Sequence, residues 1–164
     1  MKEHIIHPIP PYYDKDSKIL ILGSFPSVKS REQMFFYGHP QNRYWKVIAS
    51  VFNDEVPVTI PAKKTFLKKY HIAMWDVIGS CDITGSSDSS IENVTANDLS
   101  VILSNSKVTK IFVNGKTAEK YYKKYTEQKT GIKAVCLPST SPANAAWNME
   151  RLTEVWSTAI LQEK

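Results

Sequence analysis

At 164 residues, 42% of them hydrophobic and 23% charged, the chain is long enough to bury its own core and too apolar for a disordered segment. A balance of 21 basic against 16 acidic residues leaves +5, which admits an anionic partner without naming one. Only Cys81 and Cys136 are present, which excludes a disulfide framework and any four-thiolate cluster. No apolar run is long enough to span a bilayer and the N-terminus shows no signal-peptide pattern, so a cytoplasmic chain forming one domain over residues 1–164 is expected.

The prolines of Pro8-Ile9-Pro10-Pro11 forbid a helix and make the opening an extended lead-in. Residues 18–23 read as a strand; Ile-Leu-Ile-Leu is continuously apolar rather than alternating, as in a parallel sheet covered on both faces. Residues 42–52 are helical, with Tyr44, Trp45, Ile48, Val51 and Phe52 recurring on one face. Pro61 at a first helical position opens a lysine-rich helix that ends near Tyr70. A second strand follows over residues 71–77, and the Gly, Ser and Asp content of residues 79–90 predicts a loop.

Asn97 or Asp98 caps a short helix running to about Ser104. Residues 110–114 form a third strand ended by Gly115, and Thr117 caps a helix to about Tyr125. The lysines and tyrosines interleaved there, like those from Lys63 to Lys69, read as solvated helix faces with aromatics turned inward, with a nucleic-acid face as the alternative. Residues 133–137 are a fourth strand stopped by Pro138; a loop over residues 139–144 then leads into a helix carrying Leu152, Val155, Trp156 and Ile160. Strands alternating with helices give an α/β fold with a central, mostly parallel sheet and helices on both faces.

Ligands in such folds bind beyond the carboxyl ends of the strands. Gly23-Ser24-Phe25-Pro26-Ser27 is neither a dinucleotide turn nor a phosphate-binding P-loop. His4, His7, His39 and His71 lack zinc spacing, and no Gly-x-Ser-x-Gly elbow exists. Asp14 and Asp16 precede the first strand and read as turn residues. What remains is an aromatic segment, Phe35-Phe36-Tyr37-Gly38-His39-Pro40-Gln41-Asn42-Arg43-Tyr44-Trp45, and a small polar loop, Leu137-Pro138-Ser139-Thr140-Ser141-Pro142-Ala143-Asn144. Aromatic surfaces beside amide donors suit a planar base, and free backbone amides ahead of a helix suit a phosphate.

Gly23-Ser24-Phe25-Pro26-Ser27 followed by Tyr37-Gly38-His39-Pro40-Gln41-Asn42-Arg43-Tyr44-Trp45-Lys46 resembles the first motif region of the uracil-DNA glycosylase superfamily. Pro138-Ser139-Thr140-Ser141-Pro142-Ala143-Asn144 is similar to its closing motif. Gly-Ser-x-Pro-Ser, Ser-Thr-Ser-Pro-Ala-Asn, Trp75-Asp76-Val77 and residues 85–91 together are most similar to the hypoxanthine-DNA (deoxyinosine) glycosylase branch. Phe25 stands where uracil branches carry Asp or Asn, and Ser139 where they carry His or Asn; the hypoxanthine branch shares both departures.

The resemblance implies a three-layer α/β sandwich around a four-stranded sheet and a repair enzyme that flips out and excises a deaminated base. It implies hypoxanthine from deoxyinosine, by monofunctional hydrolysis as a monomer without metal or other cofactor. Asn42 and Ser139 are the implied catalytic residues. Gly23, Ser24, Phe25, Pro26, Tyr37, His39 and Asn114 are implied to surround the base, with Tyr37 stacking on it and His39 serving the turn rather than acting as an acid. Ser27, Ser139, Thr140, Ser141 and Asn144 are implied to contact DNA. A uracil or mismatch glycosylase and a non-catalytic nucleic-acid-binding domain stand as alternatives.

Overall fold

The computed structural model describes residues 2–161. Its centre is a parallel sheet of four strands in the order β3-β2-β6-β7: β2 (Ile19–Gly23), β3 (Ile72–Asp76), β6 (Lys110–Asn114) and β7 (Val135–Leu137). β2 explains the unbroken apolar run of the sequence. Ile19 and Ile21 enter one core, with Tyr44, Trp45, Leu67, Leu152 and Trp156, while Leu20 and Leu22 enter another, with Ile78, Cys81, Ile102 and Tyr122. Side chains on a strand alternate between faces, so a strand buried on both faces shows no polar alternation.

One face of the sheet is covered by α2 (Tyr44–Val51), α3 (Ile60–Tyr70) and α7 (Met149–Leu161). Thr59 caps α3 by accepting the N–H of Ala62, and Pro61 sits in its first turn, where the missing N–H costs nothing. The other face carries α4 (Ser100–Leu103) and α5 (Lys116–Tyr121), which continues through a wider turn, Tyr122–Thr126, into α6 (Glu127–Thr130). Tyr121 and Tyr122 turn inward, and the lysines between them and Lys129 lie on the exposed side. The lysine-rich α3 is less uniform: Lys63 is buried over the Trp45 ring and Lys69 is paired with Asp54.

Four expectations need correction. The segment expected as a loop over residues 79–90 begins with β4 (Ile78–Ile83), whose Ile78, Cys81 and Ile83 are buried while its Ser and Asp side chains face outward. The strands β1 (Glu3–Ile6), ahead of the proline lead-in, and β5 (Glu92–Ala96) were not anticipated; with β4 they form a separate antiparallel sheet in the order β1-β4-β5. Its strands are short, polar on one side and irregular in register, so periodicity alone did not separate them from loop. Gly115 rather than Thr117 occupies the N-cap of α5, because the backbone leaves β6 with φ +99°. Neither residue expected to cap α4 is its N-cap, which is Leu99: Asp98 accepts the N–H of Ser100 from one position further back, and Asn97 donates to the carbonyls of Asp76 and Ile78. Among the described residues, no helix is long and apolar enough to cross a membrane.

Gly115 joins β6 to α5 directly beneath the closing loop. A Cβ there would lie 3.0 Å from Cβ of Ser139, at a φ that L-residues rarely adopt. Gly131 has φ +71° but open space around it. Gly131→Ala should therefore cost about 1–2 kcal/mol from backbone strain alone. Gly115→Ala should cost more, about 2–4 kcal/mol when the crowding at Ser139 is added. Denaturant melts of the two variants check this; equal losses would remove the contact with Ser139 from the account.

Candidate active site

All four parallel strands end on one side, and the segments that follow them enclose a cleft of about 510 Å³. Gly23, Ser24, Phe25, Pro26, Ser27, Tyr37, His39 and Asn42 line it from the β2–α2 connection, Asn114 from the end of β6, and Ser139, Thr140 and Ser141 from the loop after β7. Of the residues singled out from the sequence, only Asn144 lies off the lining; its amide donates to the carbonyl of Ser139 and holds the loop from behind.

One chain of hydrogen bonds joins these segments. The Asn114 amide donates to Tyr37 Oη at 3.1 Å and to Thr140 Oγ1 at 3.0 Å, and its Oδ1 accepts the Thr140 N–H at 3.1 Å. The Thr140 hydroxyl donates to Asn42 Oδ1 at 2.9 Å, and the same oxygen accepts the N–H of Tyr44 at 2.9 Å. Two donors on Asn42 Oδ1 settle which way the carboxamide points. Its Nδ2 is left without a hydrogen bond among the described residues, with its donor capacity unspent. Asn42 thus holds the first residue of α2 from one position ahead of the N-cap, Arg43, and lines the cleft.

The remaining residues divide by what their polar atoms already hold. Thr140 has no exposed surface, and its hydroxyl and N–H are both used inside the chain just described. Ser139 Oγ accepts the N–H of Ser141, and Ser141 Oγ accepts that of Ala143, so each serine folds its own turn. Ser27 caps α1 (Val28–Gln33) by accepting the N–H of Ser30. His39 Nδ1 accepts the N–H of Gln41, the turn role expected of it. Tyr37 has φ +55° and stacks at 4.4 Å on the buried Tyr44. Burial and the nearby Asp76 charge push its phenol well above the usual tyrosine range, so it stays protonated.

Four residues that sequence reasoning did not single out complete the site. Asp76, at the end of β3 and 4% exposed, lines the cleft floor. Its Oδ2 lies 2.8 Å from His7 Nε2, with both side chains almost fully enclosed. Because His7 Nδ1 accepts the N–H of Ile9, the ring donates to Asp76 through Nε2–H. The rings of Phe25 and Trp75 stand edge-on to that imidazole at 5.7 and 6.0 Å. Asp76 Oδ1 and Tyr37 Oη crowd the bare Cα of Gly23: a Cβ there would meet them at 2.5 and 2.9 Å. Glycine is required at this point to let the carboxylate and phenol approach.

Asp88, in the loop between β4 and β5, is the second carboxylate of the cleft. Arg43 is the fourth residue. Its guanidinium donates to the carbonyls of Ser141 at 2.8 Å, Asn144 at 3.2 Å and Thr140 at 3.4 Å, and to that of Trp147. The strand-end rule points at Asp76, and the Asn-Arg pair points at Arg43; nothing in the spacing of His7 or Asp88 announces them.

Arg43 is a planar donor fork set among carbonyls of one loop, a geometry that a lysine ammonium does not reproduce. Arg43→Lys should destabilise the protein by about 2–4 kcal/mol, from lost bonds to a charged group. Cleavage by a protease should rise first within residues 138–148. Unchanged proteolysis in that loop, with any loss of stability spread elsewhere, would contradict the clamp.

With this geometry in view, comparison with known proteins is direct. The pattern of the Uracil DNA glycosylase superfamily matches residues 10–161. A relative from Methanosarcina acetivorans named hypoxanthine DNA glycosylase is 32% identical over 147 residues, 88% of this chain and 92% of its own. One of the same name from Methanosarcina barkeri is 30% identical over 114 residues, 68% of this chain and 72% of its own. The solution NMR structure of a candidate uracil DNA glycosylase from Methanosarcina acetivorans superposes with a TM-score of 0.79 at 31% identity, covering 94% of each chain. The cleft beyond the parallel strands, the two motif loops that wall it and a match over nearly the whole chain lead to one assignment: this chain belongs to the uracil-DNA glycosylase superfamily.

Proposed function

We propose that the protein is a monofunctional DNA repair glycosylase, acting as a single-domain monomer in the cytoplasm, that flips out a deaminated base and hydrolyses its N-glycosidic bond, with hypoxanthine in deoxyinosine as its substrate. The observation that carries this reading is the pairing of an acceptor-only group with a donor-only group across one cleft. Asp76 keeps an oxygen toward the cleft after His7 has taken the other, and Asn42 presents its NH₂. Deamination of adenine turns N1 from an acceptor into an N–H donor and the 6-amino donor into a carbonyl. A carboxylate facing N1–H and an amide facing a purine acceptor favour hypoxanthine and leave adenine mispaired, which costs about 1–3 kcal/mol per unsatisfied group.

Tyr37 supplies the stacking surface with its phenol fixed by Asn114. Asn42 lowers the barrier by donating to the base as negative charge develops on it. Ser27, Ser139 and Ser141 lie along the lining, where the backbone of the flipped nucleotide passes; Thr140 and Asn144 hold that loop in shape. Among the described residues no lysine lines the cleft, which favours water over an amine as the nucleophile. The names of the two Methanosarcina relatives support hypoxanthine over uracil. Uracil also offers a ring N–H, so a uracil or mismatch glycosylase is the nearest rival.

Oligonucleotides containing deoxyinosine, deoxyuridine or no lesion, followed by alkaline cleavage of abasic sites, test the proposal. Hypoxanthine release unaffected by EDTA, with little or no uracil release, is the expected outcome; faster uracil release would move the assignment, and no abasic product from either lesion would leave a binding domain.

Asn42→Ala removes both the cleft donor and a helix-opening acceptor. Single-turnover hypoxanthine release should fall about 10²–10³-fold. Stability should drop by only about 1 kcal/mol, and DNA affinity should hold. A melting shift with a near-normal rate would reduce Asn42 to a capping residue.

A further inference from the structure

The opening motif of this chain, Gly23-Ser24-Phe25-Pro26-Ser27, places an apolar Phe25 beside the cleft. The structure shows where Phe25 goes: its ring is 8% exposed, packed edge-on against His7 and beneath the Arg31 guanidinium. The motif strand therefore delivers no carboxylate or amide of its own.

Asp88 comes from the loop between β4 and β5, and Ser24, the residue just before Phe25, donates its hydroxyl to Asp88 Oδ1 at 3.3 Å. The loop is pinned to the motif strand at two further points. Arg31 donates to the carbonyls of Pro26 and Gly85, at 3.1 and 3.2 Å, and Ser86 Oγ accepts the N–H of Val28 at 2.9 Å. Asp88 is thus held at the mouth of the same cleft as Asn42 and Tyr37, open to water on its outer side.

We propose that Asp88 is a catalytic residue, supplying from the β4–β5 loop the water-activating carboxylate that the opening motif lacks. The inference rests on the glycosylase reading. In the step it serves, a water oxygen bonds to C1′ of the deoxyribose as the C1′–N9 bond breaks. The electron pair of that bond leaves with the purine, steadied by the Asn42 donor, and the water proton passes to the Asp88 carboxylate. The departing base takes a proton from solvent, and Asp88 releases its own to solvent. While the sugar carries oxocarbenium character, the ionised carboxylate also opposes that charge.

The surroundings strengthen the carboxylate as a base. Enclosure by the cleft walls, and then the charge of Asp76, push the Asp88 carboxyl above the usual carboxylate range; the hydroxyls of Ser24 and Thr117 oppose the rise without cancelling it. Tyr37, protonated throughout, faces it, and the Cys81 thiol and Tyr121 phenol also lie within reach of its charge. The acid limb of the wild-type pH–rate profile should follow Asp88 and lie above the range of a free carboxylate.

Single-turnover release from deoxyinosine DNA across pH, in wild type, Asp88→Asn and Asp88→Glu, decides the matter. Asp88→Asn should lose about 10²–10³-fold in rate and lose the acid limb, with melting temperature and DNA affinity unchanged. Asp88→Glu should recover part of the rate and restore the limb. Should Asp88→Asn fail to fold, Ser24→Ala tests the same point: removing a donor to the carboxylate should move the limb to higher pH. An Asp88→Asn variant of near-normal rate that keeps its acid limb overturns the assignment, as does a limb unmoved in Ser24→Ala. If wild type releases uracil but not hypoxanthine, the substrate reading fails while Asp88 is judged by the same variants on uracil. If wild type releases neither, both fall.

Discussion

Thr140, with no exposed surface, hydrogen-bonds to Asn114 at the end of β6 and to Asn42 just ahead of α2. The cleft depends on that crossing. A parallel sheet leaves its post-strand loops side by side but does not bind them to one another, and loop backbone not satisfied by neighbours is satisfied by water and moves. Here Asn114 reaches Tyr37 on one side and Thr140 on the other, so the loops after β2, β6 and β7 are held as a single wall. Arg43 adds the second tie, gathering the carbonyls of the closing loop around one guanidinium. The polar groups left facing the cleft are those that this bonding does not consume.

That division explains why residue type alone misleads at such a site. Asn114, Thr140 and Ser139 look like ligand-binding residues, yet most of their capacity is used within the protein. Asn42 looks like a helix cap, yet the bonds to its Oδ1 leave its NH₂ unspent. A hydrogen-bonding side chain is read correctly only when its partners are counted, and partners nearly a hundred positions apart are not visible in a motif.

The central sheet was legible because burial on both faces writes an unmistakable pattern into residues 19–22, and because Pro61, Gly115 and Pro138 punctuate the elements beside it. The antiparallel sheet was not: β4 mixes Gly, Ser and Asp with buried Ile78, Cys81 and Ile83, and β1 is only four residues long. The two motif loops were legible through resemblance, and they do converge on one cleft. The carboxylates were legible only as members of matched segments, Trp75-Asp76-Val77 and residues 85–91, and not as site residues, since Asp76 is given its place by a histidine far away in the chain and Asp88 by contacts of its loop with residues 24–31.

The pairing of His7 with Asp76 reaches beyond the cleft itself. Residues 10–161 are the part that matches the superfamily pattern, yet His7 lies ahead of them and holds the floor carboxylate from behind. The short strand β1 is what carries the imidazole there, by registering Ile6 against Ser80 just beyond β3. Any chimera that exchanged parts between relatives with a junction between positions 7 and 76 would separate the two halves of a buried pair. Where either parent lacks its half of the pair, one partner's charge or donor would be left enclosed without its complement. The N-terminal segment and the end of β3 therefore form one heritable unit, and substitutions at either position are expected to be tolerated only in step with the other.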